Sequence, residues 1–264
     1  MGLQKRLKKL KANRDNYEYG DKERNANKRV IALLGPSAVG KSTIIRACLD
    51  RARDWGIESI AEAGTSTTRP HRPGDPDNYH TGIPLEAMVG MIEHNELVNW
   101  SPNKTGHIYG TLPQDFPAEY NFMACLPDSV PMLRRAGFAV VHAVYLVTAV
   151  DAWEEQLASR LYTADTINLP GDQRRYHPEA AGRIEEALSS LEYAKETATL
   201  TKVANTPGES SLTATADIIL EISRGKSTFT GGTEQMRLEF ERDLREMYSR
   251  ALDIAWEIEQ ASAA

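Results

Sequence analysis

Apolar residues in this chain fall into short runs that alternate with amphipathic stretches. Val30-Ile-Ala-Leu-Leu34 is an uninterrupted apolar run of strand length, and Thr43-Ile-Ile-Arg-Ala-Cys-Leu49 follows it with helical spacing. A second run, Phe138-Ala-Val-Val-His-Ala-Val-Tyr-Leu-Val147, is rich in β-branched residues and predicts an inner strand. Asp151 stands behind it, placed to cap a helix over 152–161. His142 inside the run reads as a buried, hydrogen-bonded side chain and not as a ligand, since no partner residue stands at metal-site spacing. A further helix is predicted over 183–196, and the polar insert 163–179, with Pro170-Gly171 and Arg174-Arg175, separates the two. Strands alternating with helices over 29–224 predict an α/β fold, a parallel sheet flanked by helices.

The two ends differ from this middle. Residues 1–28 are polar and basic, and read as an extension outside the catalytic core. Residues 225–264 predict a helix with Thr233 as its cap. In it Met236, Phe240, Leu244, Met247, Ala251, Ile254 and Ile258 recur at alternating spacings of four and three, an apolar seam on one face. Leu3, Leu7 and Leu10 repeat that spacing in the basic segment, while the C-terminal helix is acid-rich. Either the two terminal segments pack together or form a homodimer contact, or each caps the core independently.

Composition narrows the class. The 264 residues suffice for one α/β domain with extensions or for two small domains. A net charge of −6 argues against nucleic acid as the default partner. Cys48 and Cys125 are far apart with no C-x-x-C pair, which disfavours a disulfide framework or a zinc site and suits a reducing compartment. No apolar run approaches the ~20 residues of a membrane span. Residues 1–13 lack the apolar core of a secretory signal, so the expectation is a soluble, cytoplasmic protein with no membrane partner.

The strongest chemical signal is Gly35-Pro-Ser-Ala-Val-Gly-Lys-Ser-Thr43. Strand, then G-x-x-x-x-G-K-[ST], then helix is the context that a phosphate-binding P-loop requires. Gly35 and Gly40 let the backbone curl, so that N–H groups across Ser37, Ala38, Val39 and Gly40 point at phosphate oxygens. The N-terminus of the following helix adds partial positive charge. Lys41 is the residue that reaches the β- and γ-phosphates, and Ser42, beside Thr43, supplies a hydroxyl for Mg²⁺. A chance Gly-rich turn is the bland alternative, and the flanking pattern argues against it.

Downstream stands Thr65-Ser-Thr-Thr-Arg-Pro-His-Arg-Pro-Gly-Asp-Pro-Asp-Asn-Tyr79. Arg69 and Arg72, beside hydroxyls and Tyr79, make an anion site of permanently charged forks and a neutral donor. Alone, this stretch would read as a solvated loop. With a P-loop upstream, the chain resembles the guanylate kinase family, which carries GPSGxGKST, then TTRPxRPGE…DY, then E-[FL]-x-E-W…YYG-[ST]. The third stretch appears here as Glu96-Leu-Val-Asn-Trp100 followed by Tyr109-Gly-Thr111, and Val203-Ala-Asn205 resembles the family's late strand-to-loop Asn beside the adenine.

That resemblance implies a P-loop nucleoside monophosphate kinase fold: a parallel-sheet core, a monophosphate-binding insertion over about 64–122, and a lid over about 163–182. It implies ATP and Mg²⁺ at the P-loop, with Asn205 at the base of ATP. Arg69, Arg72, Tyr79 and Tyr109 would hold the acceptor's phosphate, Thr65 would stand where the family has Ser, and Thr111 would face the base. Lys41, Arg69 and the lid arginine Arg183 would stabilise the transferring phosphoryl group. Three departures accompany it. Asn99 replaces the carboxylate that reads guanine. The D-x-D that ends a family strand is replaced by Met123-Ala-Cys-Leu-Pro-Asp128, leaving Asp128 as the nearest carboxylate for Mg²⁺. The lid pattern R-L-x-x-R-G loses its second arginine in Arg160-Leu-Tyr-Thr-Ala164, with Arg174 or Arg175 as replacements or as simple solvated charges. The leading expectation is a kinase of GMP, dGMP or a related nucleotide. The alternatives are the same fold acting on another nucleotide or a phosphorylated sugar, and a non-catalytic interaction module.

Overall fold

The computed structural model describes residues 2–170, 174–197, 200–205, 209–225 and 234–263. Gly171 of the expected Pro-Gly turn and the expected cap Thr233 lie outside them. The elements run β1 (Arg29–Leu34), α2 (Lys41–Asp54), β2 (Ile60–Glu62), β3 (Thr65–Thr67), β4 (Tyr79–His80), α3 (Leu85–Glu93), β5 (Asn99–Pro102), β6 (Ile108–Thr111), β7 (Tyr120–Ala124), α4 (Val130–Arg135), β8 (Val140–Val147), α5 (Val150–Leu161), α6 (Ala180–Glu196), β9 (Thr201–Ala204) and α7 (Glu209–Ser223), with α1 (Leu3–Ala12) and α8 (Glu234–Ala263) at the ends. Among the described residues, five strands form one sheet in the order β2-β7-β1-β8-β9, and four form a second in the order β4-β3-β6-β5. In the larger sheet β2 pairs parallel with β7, and β8 with β9. This is the α/β architecture that the alternating pattern predicts. Val30 to Leu34 are wholly buried, which is why β1 reads as an unbroken apolar run and not as an alternating one.

Element ends differ from expectation by about a turn. The first helix after β8 begins at Val150, so Asp151 lies in its first turn, where its charge complements the helix dipole, and is not the cap. The next begins at Ala180, which sets Arg183 one turn inside it. His142 is half-buried, and burial together with the nearby Arg29 holds its imidazole toward the neutral form.

The chain divides into two compact units, the first being Met1–Ala32 with Ala52–Ala143 and the second Leu33–Arg51 with Val144–Ala264. The first unit holds the four-stranded sheet. Its core joins Leu7 and Tyr17 to Met88, Val89, Ile92, Leu97, Trp100, Ile108 and Met132, with Leu3 and Leu10 packed at its margin. Tyr17 donates its hydroxyl to the Leu97 carbonyl at 2.6 Å and meets Trp100 edge-on at 6.3 Å. The N-terminal segment, read from its polarity as external, therefore contributes to the core of this unit. The correction has a simple physical cause: α1 is amphipathic, and its leucines bury on α3 while its lysines stay in water.

In the second unit α8 lies along α5, α6 and β9. Phe240, Leu244, Met247, Ala251, Ile254 and Ile258 are buried there, so the apolar seam is occupied within the chain. The side chain of Met236 lies outside the described residues. Arg250 ties α8 to α5 through Glu154 at 2.5 Å and bonds Glu257 along its own helix at 2.9 Å. Each terminal helix thus packs on elements of its own unit, the alternative in which each caps the core independently.

Candidate active site

The P-loop lies in the second unit. Three successive features of its backbone need the left-handed region: Gly35 at φ 137°, Ala38 at φ 68° and Gly40 at φ 91°. A Cβ on Gly35 would stand 2.7 Å from the Leu146 carbonyl oxygen, and one on Gly40 would stand 2.8 Å from Asn205 Nδ2. Gly35 is therefore required by close approach to backbone as well as by its angle, and Gly40 by its backbone angle. The helix starts at Lys41, and its ammonium folds back to donate to the carbonyls of Gly35 at 2.6 Å and Pro36 at 2.8 Å. Ser42 and Thr43 are exposed in the first turn. This is a curled loop, a helix N-terminus and a lysine at one place, the donor set that a polyphosphate needs, with the Ser42 hydroxyl fit to hold Mg²⁺.

Side chains from three other elements brace the loop. Trp153 of α5 donates its indole N–H to the Ser37 carbonyl at 2.8 Å, Arg160 reaches the Ser37 hydroxyl at 3.2 Å, and Asn205 Nδ2 donates to the Val39 carbonyl at 3.1 Å. Val39 itself is buried beneath the loop. Trp153 carried no functional signal in the sequence, because a large apolar residue on a helix reads as core, and it is also fully buried.

The second cluster lies in the first unit, on the four-stranded sheet. Thr65 pairs with Tyr79 in the β3–β4 register and shares a side-chain hydrogen bond with it. Burial pushes the Tyr79 phenol up to about 12, against the weaker pull of that bond, so it stays protonated and can donate. Arg69 is 5% exposed and forms a two-pronged pair with Asp75, at 2.8 and 3.0 Å. Burial works against the Arg69 charge, but the Asp75 and Tyr109 contacts outweigh it and hold the guanidinium above its ordinary value. Burial likewise raises the Asp75 carboxyl, and Arg69 with the Arg72 backbone N–H, 2.7 Å away, pulls it below the carboxylate range. Asp75 is thus the orienting group of this cluster, and its signal in the sequence was an acid at fixed spacing from two arginines. Thr65, Arg69, Arg72, Tyr79 and Tyr109 all lie on or beside strands β3, β4 and β6 of this sheet.

Asn99 and Thr111 sit opposite each other in the antiparallel β5–β6 pair. Asn99 is 4% exposed, and its Oδ1 is buried without a hydrogen-bond partner among the described residues. A buried, unmet acceptor costs ~1–3 kcal/mol, which an N–H donor would recover. Asp128 has one oxygen on the Ser101 hydroxyl at 2.7 Å and the other on Arg14. One contact reaches β5 and the other holds the N-terminal segment, so the carboxylate suggested for Mg²⁺ ties these two stretches together in this structure.

The expected lid arginines differ in setting. Arg183 is mostly buried beside Glu179, and its Nε has no partner among the described residues. Arg175 is largely exposed and pairs with Asp165. Arg174 donates to the Leu169 carbonyl at 2.9 Å and lies 5.1 Å over the Tyr162 ring.

Comparison with known proteins agrees with these clusters. The family model described as guanylate kinase matches residues 27–117, from the P-loop through the tyrosine–threonine stretch of β6. The guanylate kinase of Mycobacterium bovis is 31% identical over 176 residues, a match that covers 61% of this chain and 78% of that relative. The guanylate kinase of Mycobacterium leprae is 30% identical over 152 residues, covering 56% and 69%. Among solved structures, the crystal structure of guanylate kinase from Anaplasma phagocytophilum superposes with a TM-score of 0.47 at 13% identity, covering 80% of this chain and 93% of that one. The P-loop, the arginine–tyrosine cluster and the extent of the mycobacterial matches place this chain in the guanylate kinase family.

Proposed function

We propose that the protein is an ATP- and Mg²⁺-dependent nucleoside monophosphate kinase that transfers the γ-phosphoryl group to GMP, dGMP or a related nucleotide. The observation that carries this reading is the P-loop itself. A curled backbone, Lys41 and the exposed Ser42 and Thr43 are kept intact and braced by Trp153, Arg160 and Asn205. A purely structural or protein-binding role gives no reason to keep that arrangement.

Bound MgATP would supply the electrophilic γ-phosphorus and a leaving diphosphate. The residues of this chain position and neutralise, since phosphoryl transfer needs little covalent work from the protein. Lys41 exchanges its two carbonyl acceptors for phosphate oxygens. Arg69, oriented by Asp75, holds the acceptor's phosphate with Tyr109, Arg72, Tyr79 and Thr65. Arg183, with an N–H that lacks a partner among the described residues, is the lid arginine best prepared to meet an anion. Arg175, exposed and paired with an exposed aspartate, is less prepared.

A second reading concerns the base. Guanine presents two adjacent donors, N1–H and the 2-amino group, which a carboxylate meets with two acceptors. Asn99 offers one acceptor and one donor, so it can meet N1–H and the neighbouring O6 of a purine but not both of guanine's donors. The unmet Oδ1 calls for an N–H donor, which guanine and hypoxanthine both present at N1, and hypoxanthine lacks the 2-amino donor for which Asn99 has no second acceptor. The test is coupled ADP release against a panel of ribo- and deoxyribonucleoside monophosphates, with Lys41→Ala as blank. Turnover confined to GMP and dGMP supports the guanine reading, and preference for another base supports the second. ATP binding with no turnover on any acceptor would refute both.

A further inference from the structure

Among the described residues, β5 is the last strand of the four-stranded sheet, with β6 on one side and no strand on the other. Side chains alternate between the faces of a strand, so Asn99 and Ser101 share one face, opposite Thr111 and Tyr109 of β6. The free side of an edge strand is a row of unpaired backbone groups that a loop or helix commonly covers. Here the N-terminal segment reaches that strand twice. The Tyr17 hydroxyl donates to the Leu97 carbonyl at 2.6 Å, and its ring meets Trp100 edge-on. Arg14 donates to one oxygen of Asp128, whose other oxygen accepts from the Ser101 hydroxyl at 2.7 Å. The positions held are two residues before Asn99 and two residues after it. Between them, the Val98 N–H donates to the Thr111 carbonyl at 2.8 Å and ties the chain to β6. Leu97 also lies close over Gly110, where an added Cβ would stand 2.7 Å from Leu97 Cδ1.

We infer that Arg14 and Tyr17 are positioning residues for the acceptor, fixing Asn99 where its unmet Oδ1 meets the base. The inference rests on the reading of Asn99 as the residue that faces the base. Support of the core does not account for these contacts. Leu7 and the Tyr17 ring serve the core, whereas the Tyr17 hydroxyl and Arg14 direct their donors to the stretch that carries Asn99. Both act through that stretch, Tyr17 through Leu97 and Arg14 through Asp128 and Ser101. Readout by a hydrogen bond tolerates little displacement, and a shift of about 1 Å in a positioned group can cost about a hundredfold.

Equilibrium binding of a panel of nucleoside monophosphates to the full-length protein tests it, with GMP and IMP in the panel and ADP as the reference ligand. Arg14→Ala and Tyr17→Phe should each weaken the preferred monophosphate about tenfold and narrow its margin over the others, with ADP affinity unchanged. Arg14→Lys keeps a cation beside Asp128 and should bind as the wild type does. Arg6→Ala removes another ion pair of the same segment, the one to Glu93, and should change neither ligand. Tyr17→Phe removes a single oxygen, so it decides the matter even where Arg14→Ala does not fold. Monophosphate binding that stays at wild-type values in both variants overturns the inference. So does an equal loss in Arg6→Ala, which would mark the segment as a general support. A wild type that binds ADP and none of the monophosphates overturns the acceptor reading itself, and the inference with it.

Discussion

At the scale of single residues, the departures from the family pattern carry the specificity question. Asn99 is buried opposite Thr111 with an acceptor that has no partner among the described residues. Asn99→Glu is predicted to raise kcat/KM for GMP relative to IMP by roughly tenfold or more, since a carboxylate gains a charge-assisted bond to each guanine donor. Steady-state kinetics with the two acceptors measures that ratio, and an unchanged ratio means that Asn99 does not read the base. The identity of Asn99 was plain in the sequence, as were Lys41, Arg69 and Tyr79, because a motif fixes type and spacing. What spacing does not reveal is which atoms are already engaged. Asp128 was nominated for a metal and instead clamps Arg14 and Ser101. Arg183 was expected on a helix and Arg175 in the polar insert, and burial sets them further apart, the first mostly buried and the second largely exposed.

At the scale of elements, strand β1, the P-loop and α2 were legible because backbone geometry and apolar pattern demand the same order. The turn from Arg69 to Asp75 was legible as an anion site but not as an internally paired one. Asp75 has a folded-state pKa below its unfolded value, so its pairing with Arg69 stabilises the fold above the ordinary carboxylate range. That contribution is lost as pH falls through the folded-state value. Asp75→Asn is therefore predicted to destabilise the protein at neutral pH, with the difference from wild type shrinking as the pH is lowered below about 4. Urea unfolding across that range checks the sign. A difference that grows toward acid would contradict the pairing. Helix starts were misjudged by about a turn because Asp151 and Arg183, the residues that drew attention, sit inside the first turns and not at the caps.

For the whole molecule, the sequence divided the chain by polarity into a core and two appendages, and packing redraws that division. Leu7 and Tyr17 enter the core of the first unit, and the α8 seam enters the second. Charged residues hid this, because a lysine-rich or glutamate-rich helix buries one stripe while its average remains hydrophilic. The central claim is the phosphotransfer proposed above. Its most direct test is a single-turnover reaction of the purified protein with Mg²⁺, GMP and ATP labelled in the γ-phosphate, followed by separation of the nucleotides. The account predicts label in the nucleoside diphosphate, abolished by Lys41→Ala and strongly reduced by Arg69→Ala. Label that stays in ATP, or appears only as free phosphate with GMP and every other monophosphate tried, would contradict it.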